Sequence, residues 1–238
     1  MDIRFDGKNA LVTGGGRGIG REVAALLARL GAKVTIIDRI REDSDSAVEE
    51  IGCKAVYADL RSPSEARKAA EEALPVDLLV NCAGVVILQP FLETTVDNFD
   101  ETLNVNVRAM MVVSQVVAKN MVERKSGGAI VNFSSIADTL AFQDHTSYCI
   151  SKGGVDQLTR CMALELGPHN IRTNAVAPCM TMTPLGRKAW SDPEKREGAL
   201  KRIPLGRFNE PIDVAAAVIF LLSEQAAMIN GAVVPVDG

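Results

Sequence analysis

Asn9-Ala10-Leu11-Val12-Thr13-Gly14-Gly15-Gly16-Arg17-Gly18-Ile19-Gly20 decides the fold. A short apolar run ends in a glycine-rich turn, and the turn opens an amphipathic segment, Gly20–Leu30, that stops at Gly31. Gly31 suits the C′ position of a helix. Strand, glycine turn and helix in that order give such a motif its meaning. Gly14 permits a sharp turn; Gly18 and Gly20 let backbone approach a diphosphate and let the helix pack on the strand. Arg17 and Ile19 lie on the same loop. Unpaired N–H groups and a partial positive charge at the helix start then face the phosphates. The G-x-x-x-G-x-G spacing departs from the G-x-G-x-x-G fingerprint, so the turn needs support from the rest of the chain.

That support begins with the alternation of elements. Candidate strands are Asn9–Thr13, Lys33–Ile37, Lys54–Tyr57, Asp77–Asn81, Ala129–Phe133, Arg172–Val176 and Ala232–Val236. They are apolar almost throughout, as expected when helices cover both faces of a parallel sheet. Ser62-Pro63-Ser64-Glu65 offers an N-cap, a proline at the first helical position and a capping-box glutamate, starting a helix that runs to about Glu72. The pattern predicts an α/β fold, a doubly wound parallel sheet of about seven strands in one domain spanning 1–238. No repeat, low-complexity tract or linker interrupts it. Pro178 to Ile203, rich in Met, Thr, Pro and charge, reads as a long irregular connection, hence a substrate lid over about 179–203.

Composition excludes several classes. Net charge is −4 with no block of lysine or arginine, which argues against a nucleic-acid or anionic-membrane partner. The longest apolar stretch, Val214 to Leu222, is too short to span a bilayer, and the first residues lack a signal-peptide apolar run. Cys53, Cys82, Cys149, Cys161 and Cys179 form no C-x-x-C pair and read as reduced thiols, so the expected location is cytoplasmic. For Cys149 and Cys179, next to Tyr148 and Pro178, thiol reactivity is the alternative to the plainer reading of small buried side chains.

Asp38 ends the second strand, 18 residues beyond Gly20. A carboxylate there accepts the two ribose hydroxyls of adenosine and repels a 2′-phosphate, which favours NAD(H). Arg17 and Arg39 could pair with that phosphate, leaving NADP(H) as the alternative. A surface ion pair of Asp38 with Arg17 is the bland reading.

Four polar residues downstream carry chemistry. Tyr148 and Lys152 are four apart in a helical segment and share a face. A tyrosine keeps its proton well above neutrality, and a lysine ammonium alongside favours the phenolate. Tyr148 is therefore a candidate proton donor for carbonyl reduction, or a base for alcohol oxidation. Ser135, just past the strand Ala129–Phe133, can hydrogen-bond the substrate oxygen where charge develops. Asn106 is an unusual residue for a helix interior and could hold a water relaying protons from Lys152.

Thr13–Gly20, Asn81-Cys82-Ala83-Gly84, Asn106, Ser135 and Tyr148-x-x-x-Lys152 together resemble the short-chain dehydrogenase/reductase family over essentially the whole chain. The resemblance implies a Rossmann-type sheet, a nicotinamide cofactor and a homotetramer or dimer. It implies Asp59 and Leu60 on the adenine side, and Asn81, Ala83 and Gly84 supporting the central sheet and ribose. Lys152 would also hold the nicotinamide ribose, with Pro178, Thr181 and Thr183 near the carboxamide. Cys82 and Cys179 depart from the family's usual Asn and Gly.

Leu88–Glu93, Met162–His169, Trp190–Pro193 and Arg202–Gly206 point within the family to a small carbonyl substrate, a sugar such as L-xylulose or a small α-dicarbonyl. His145 would supply hydrogen bonds and Trp190 a flat wall for a sugar face. A 3-oxoacyl-carrier-protein reductase, a polyol dehydrogenase and a non-catalytic nucleotide-binding protein stand as alternatives.

Overall fold

All seven expected strands form, and each lies in the same sheet. The computed structural model describes residues 2–238. The strands are β1 (Asn9–Thr13), β2 (Lys33–Asp38), β3 (Lys54–Tyr57), β4 (Leu78–Asn81), β5 (Gly128–Phe133), β6 (Ile171–Pro178) and β7 (Val233–Val236). They pair in parallel in the order β3-β2-β1-β4-β5-β6-β7.

Successive strand residues face opposite sides, which explains why the strands are apolar throughout. Val12, Ile36, Val80 and Val131 join one core with Val23 and Leu27 of α1 (Gly18–Arg29) and Val214 and Val218 of α9 (Pro211–Leu222). Leu11, Ile37, Leu79 and Ile130 join the other, with Ala66 and Ala69 of α3 (Pro63–Glu72) and Val113 and Val117 of α5 (Met110–Arg124). Each of these strand side chains is fully buried. Truncating one to alanine costs about 2–5 kcal/mol.

The chain leaves β1 toward β2 and β3, then crosses back to place β4 on the other side of β1. At such a switch point the loops beyond neighbouring strand ends diverge and leave a crevice. Here those loops are the Gly14–Gly20 turn after β1 and the Cys82–Gly84 segment after β4. Thr13 Oγ1 ties them together, accepting the N–H groups of Cys82 (3.1 Å) and Ala83 (3.2 Å).

Three local expectations need correction. The segment after Pro178 is not irregular: it holds two short helices, α7 (Pro184–Ala189) and α8 (Pro193–Leu200). Thr183 Oγ1 caps the first by accepting the Gly186 N–H (3.1 Å), and Asp192 caps the second through the Lys195 N–H (3.0 Å). A proline follows each cap, but the high charge content hides the periodicity. Ser62 does cap α3, accepting the Glu65 N–H at 3.3 Å. The Glu65 carboxylate, however, reaches past the cap to the Asp59 N–H (3.0 Å) and does not close a capping box. Finally, α1 begins at Gly18, inside the glycine turn.

Candidate active site

On the cofactor side the turn is shaped by what it leaves out. Gly14 sits at φ +68°, and a Cβ there would fall 2.9 Å from Ala83 Cα. A Cβ on Gly20 would fall 2.2 Å from the Gly14 carbonyl oxygen. No larger residue fits either place without moving backbone. A Cβ on Gly18 would come 3.3 Å from Thr183 Cγ2, so the lid begins against the turn. A cradle of this shape at a helix N-terminus fits the diphosphate of a dinucleotide.

Asp38 is fixed at the end of β2: Oδ2 accepts the Gly16 N–H (3.0 Å) and Oδ1 the Ile40 N–H (3.1 Å). The bland pairing with Arg17 does not form, because Arg17 turns to Asp43 at 3.9 Å. Arg41 stacks on the Tyr57 ring, 4.0 Å from its centre. Arg39 is exposed and makes no ion pair among the described residues. Asp59 is bound to the Arg61 guanidinium, whose hydrogen bonds hold its carboxyl below the usual carboxylate range. Leu60, Thr13, Asn81 and Ala83 line a small internal cavity of about 10 Å³. Asn81 Nδ2 donates to Ser114 Oγ and Asn132 Oδ1, both at 2.9 Å, so its amide braces β4 against α5 and β5. Pro178 ends β6, and Thr181 Oγ1 donates to the Cys179 carbonyl (3.0 Å). Burial pushes the Cys82 thiol up to about 12, which makes it inert at neutral pH.

The catalytic side is organised by α6 (Thr146–Leu166), which carries Tyr148 and Lys152 one turn apart. Lys152 is buried, and its Nζ donates to the Phe133 carbonyl at 2.7 Å while lying 5.4 Å from the Tyr148 ring centre. Phe133 ends β5, so the contact locks the ammonium two residues from Ser135. Ser135 caps a 3₁₀ turn, Ile136–Asp138, with Oγ accepting the Ala137 N–H (3.2 Å). Asn106 lies in a π-helical turn, Asn104–Ala109, between α4 (Val96–Leu103) and α5. Such turns often mark functional sites. Its side chain is fully committed: Nδ2 donates to the Val85 carbonyl (2.9 Å) and Ser151 Oγ (3.0 Å), and Oδ1 accepts the Val85 N–H (2.8 Å). A Cβ on Gly84 would stand 3.2 Å from Asn106 Oδ1 and 3.9 Å from Lys152 Nζ, so three of the expected positions converge.

The two expected substrate contacts differ. His145 flanks α6 with Nδ1 hydrogen-bonded to the Gln143 carbonyl (2.5 Å) and its ring centre 6.1 Å from that of Tyr148. Trp190 packs on Phe208 (5.4 Å between centres) in a lid cluster with Met182 and Ile203, and Lys195 Nζ covers its ring at 4.8 Å. That ring is occupied by the lid itself.

Sequence reasoning missed a polar cluster behind Ser135. Ser134 Oγ lies 2.6 Å from Asp156 Oδ1, and 3.4 Å from both Asp138 Oδ2 and the Lys152 carbonyl. The available signal was spacing: Asp156 follows Lys152 by one helical turn on the same face. Among the described residues, no group of three or more His, Cys, Asp or Glu is placed to hold a metal.

Comparison with known proteins agrees with this geometry. A family model described as enoyl-(acyl carrier protein) reductase, of the short-chain dehydrogenase/reductase type, matches residues 14–238. The chain is 50% identical over 239 residues to an L-xylulose reductase of Mus musculus, covering 100% of this chain and 98% of that one. It is 46% identical to a D-erythrulose reductase of Gallus gallus over 238 residues, covering 100% and 97%. The fold matches a putative 2-deoxy-D-gluconate 3-dehydrogenase from Agrobacterium tumefaciens with bound NADP, at TM-score 0.93 and 30% identity, covering 100% and 97%. The chain belongs to the short-chain dehydrogenase/reductase family and is an NAD(P)(H)-dependent oxidoreductase.

Proposed function

We propose that this protein is a cytoplasmic, NADH-preferring reductase of a small sugar such as L-xylulose, or of small α-dicarbonyls, working as a homotetramer or dimer. One observation carries the reading: β5 and α6 lock Lys152 beside Tyr148 and two residues from Ser135. Full-length likeness to two sugar reductases supports the substrate class.

When bound, the reduced nicotinamide supplies a hydride to the carbonyl carbon. The chain supplies the rest. Ser135 donates a hydrogen bond to the substrate oxygen as negative charge develops there. Tyr148 delivers its proton to that oxygen, closing the alcohol. The Lys152 ammonium stabilises the phenolate left behind. Asn106, its amide spent on Val85 and Ser151, would brace the segment after β4 beside Lys152. His145, whose ring lies beside that of Tyr148, would hydrogen-bond a sugar hydroxyl through Nε2, its Nδ1 being held by the Gln143 carbonyl. Trp190 serves as the anchor of the lid.

NADH is favoured because Asp38, fixed at the end of β2, would accept the ribose hydroxyls and repel a 2′-phosphate, while Arg17 is turned to Asp43. Exposed apolar side chains on α4 and α6 (Val96, Ile150, Leu164) and on Phe91 and Leu92 support self-association. A carrier-protein partner would need a free basic lid, and Arg187 and Lys201 are already paired with Glu210 and Glu197. Among the described residues, no helix is long and apolar enough to cross a membrane.

The test is nicotinamide absorbance with L-xylulose and with diacetyl, each against NADH and NADPH. Faster turnover with NADH is expected. Turnover confined to NADPH would overturn the cofactor assignment, and inertness toward both substrates would overturn the substrate class.

A further inference from the structure

We propose that Ser134, Asp138 and Asp156 form a proton-sharing clamp that seats the Ser135 turn against α6, making Asp156 a positioning residue for the reaction. The proposal rests on Ser135, Tyr148 and Lys152 being the reacting groups.

An aspartate is a poor helix-interior residue, and a buried carboxylate costs free energy unless it is well paired. Asp156 is only 5% exposed, yet its one cation is Arg160, 3.8 Å away and half exposed. Its close partner is the Ser134 hydroxyl at 2.6 Å. The same oxygen is 3.4 Å from Asp138 Oδ2 and 3.4 Å from the Lys152 carbonyl. One hydroxyl has one proton to give. Two carboxylates gathered around it repel unless one of them carries a proton.

The cluster therefore joins three pieces of the site. Ser134 precedes Ser135, Asp138 closes the turn that Ser135 caps, and Asp156 lies one helical turn beyond Lys152. The turn passes close to α6, since a Cβ at Gly153 would stand in ordinary contact, 3.9 Å, with the Asp138 carbonyl.

The surroundings retain the proton. Burial pushes the Asp156 carboxyl up to about 6; the Ser134 hydrogen bond opposes the rise, Asp138 adds to it, and Arg160 opposes it. No other charge relieves the pair. Lys152 Nζ points to the Phe133 carbonyl, Arg108 on the π turn to the Arg61 carbonyl, and Arg172 on β6 to the carbonyls of residues 221 to 223. Above the pair's titration, two negative charges face each other and the Ser135 turn loosens.

The experiment measures kcat, KM, NADH affinity and melting temperature from pH 4 to 8 for the parent protein, Asp138→Asn, Asp156→Asn, Asp156→Ala and Tyr148→Phe. In the parent, kcat is expected to fall about threefold as pH rises through about 6. Asp138→Asn should move that step to lower pH, and Asp156→Asn should abolish it. Asp156→Ala should lower kcat about tenfold with NADH affinity unchanged. The stability readout needs no turnover. A carboxyl whose proton is held more tightly folded than unfolded stabilises fully below its ordinary value, and the gain is lost as pH rises to about 6. The parent should lose melting temperature across that window relative to Asp156→Asn. Profiles of kcat and melting temperature identical in the parent, Asp138→Asn and Asp156→Asn would overturn the clamp, even where Asp156→Ala fails to fold. An active Tyr148→Phe would instead overturn the assignment of the site.

Discussion

Around Gly14–Gly20 the site is made by omitting side chains, whereas along α6 it is made by burying polar ones. In the turn, the positions of Gly14 and Gly20 are set by backbone contacts that no Cβ could share. Along α6, Ser151, Lys152, Asp156 and Thr159 are buried and hydrogen-bonded, and Asn106, Ser134 and Asn132 meet Ser151, Asp156 and Thr159 from neighbouring elements. On the proposed function the first region would hold a large ligand by shape and backbone dipoles, which tolerate no bulk. The second holds protons and charges, which tolerate bulk better than a missing partner. Asn81 and Asn132 extend the second region, running from Ser114 on α5 through β4 and β5 to Thr159 on α6, and Thr13 ties the start of the glycine turn to the end of β4. The ends of β4 and β5 thus carry both halves.

The contrast can be broken most severely at Gly20. Gly20→Ala should weaken NADH affinity about 100-fold by driving a methyl into the Gly14 carbonyl, with calorimetric titration as the readout. Retained affinity would mean that the turn relaxes and that shape is not its principle. Asp38→Ser removes charge from the cofactor half without adding bulk. The ratio of kcat/KM for NADPH over NADH should rise at least about tenfold. An unchanged ratio would place the discrimination elsewhere, with Arg39 the first residue to examine. The smallest effect belongs to the rim. His145→Ala should raise KM for L-xylulose about three- to tenfold with kcat nearly constant. A fall in kcat alone would mean that His145 acts through Tyr148 and not on the sugar.

The fold was legible because its signal is redundant. Seven apolar runs separated by helical segments admit few arrangements, and the strands formed within one or two residues of their expected ends. The candidate site was legible where sequence spacing fixes a shared face, as with Tyr148 and Lys152 one turn apart on α6. It was not legible where the meaning depends on what the fold brings alongside. Ser134, Asp138 and Asp156 are unremarkable in sequence, and only the packing of the Ser135 turn on α6 makes them one unit. The partners of the Asn106 amide were hidden for the same reason: they are Val85, 21 positions away, and Ser151, 45 away. The lid helices escaped notice because each has only a half-buried end, at Trp190 and at Leu200, and no apolar stripe.

The most direct test of this division of labour is Tyr148→Phe, with NADH binding and sugar turnover measured on the same sample. Turnover should fall at least about 100-fold while NADH affinity stays within about twofold, because the lost hydroxyl belongs to the proton-handling half alone. A parallel loss of binding and turnover would contradict it, showing that the two halves act as one.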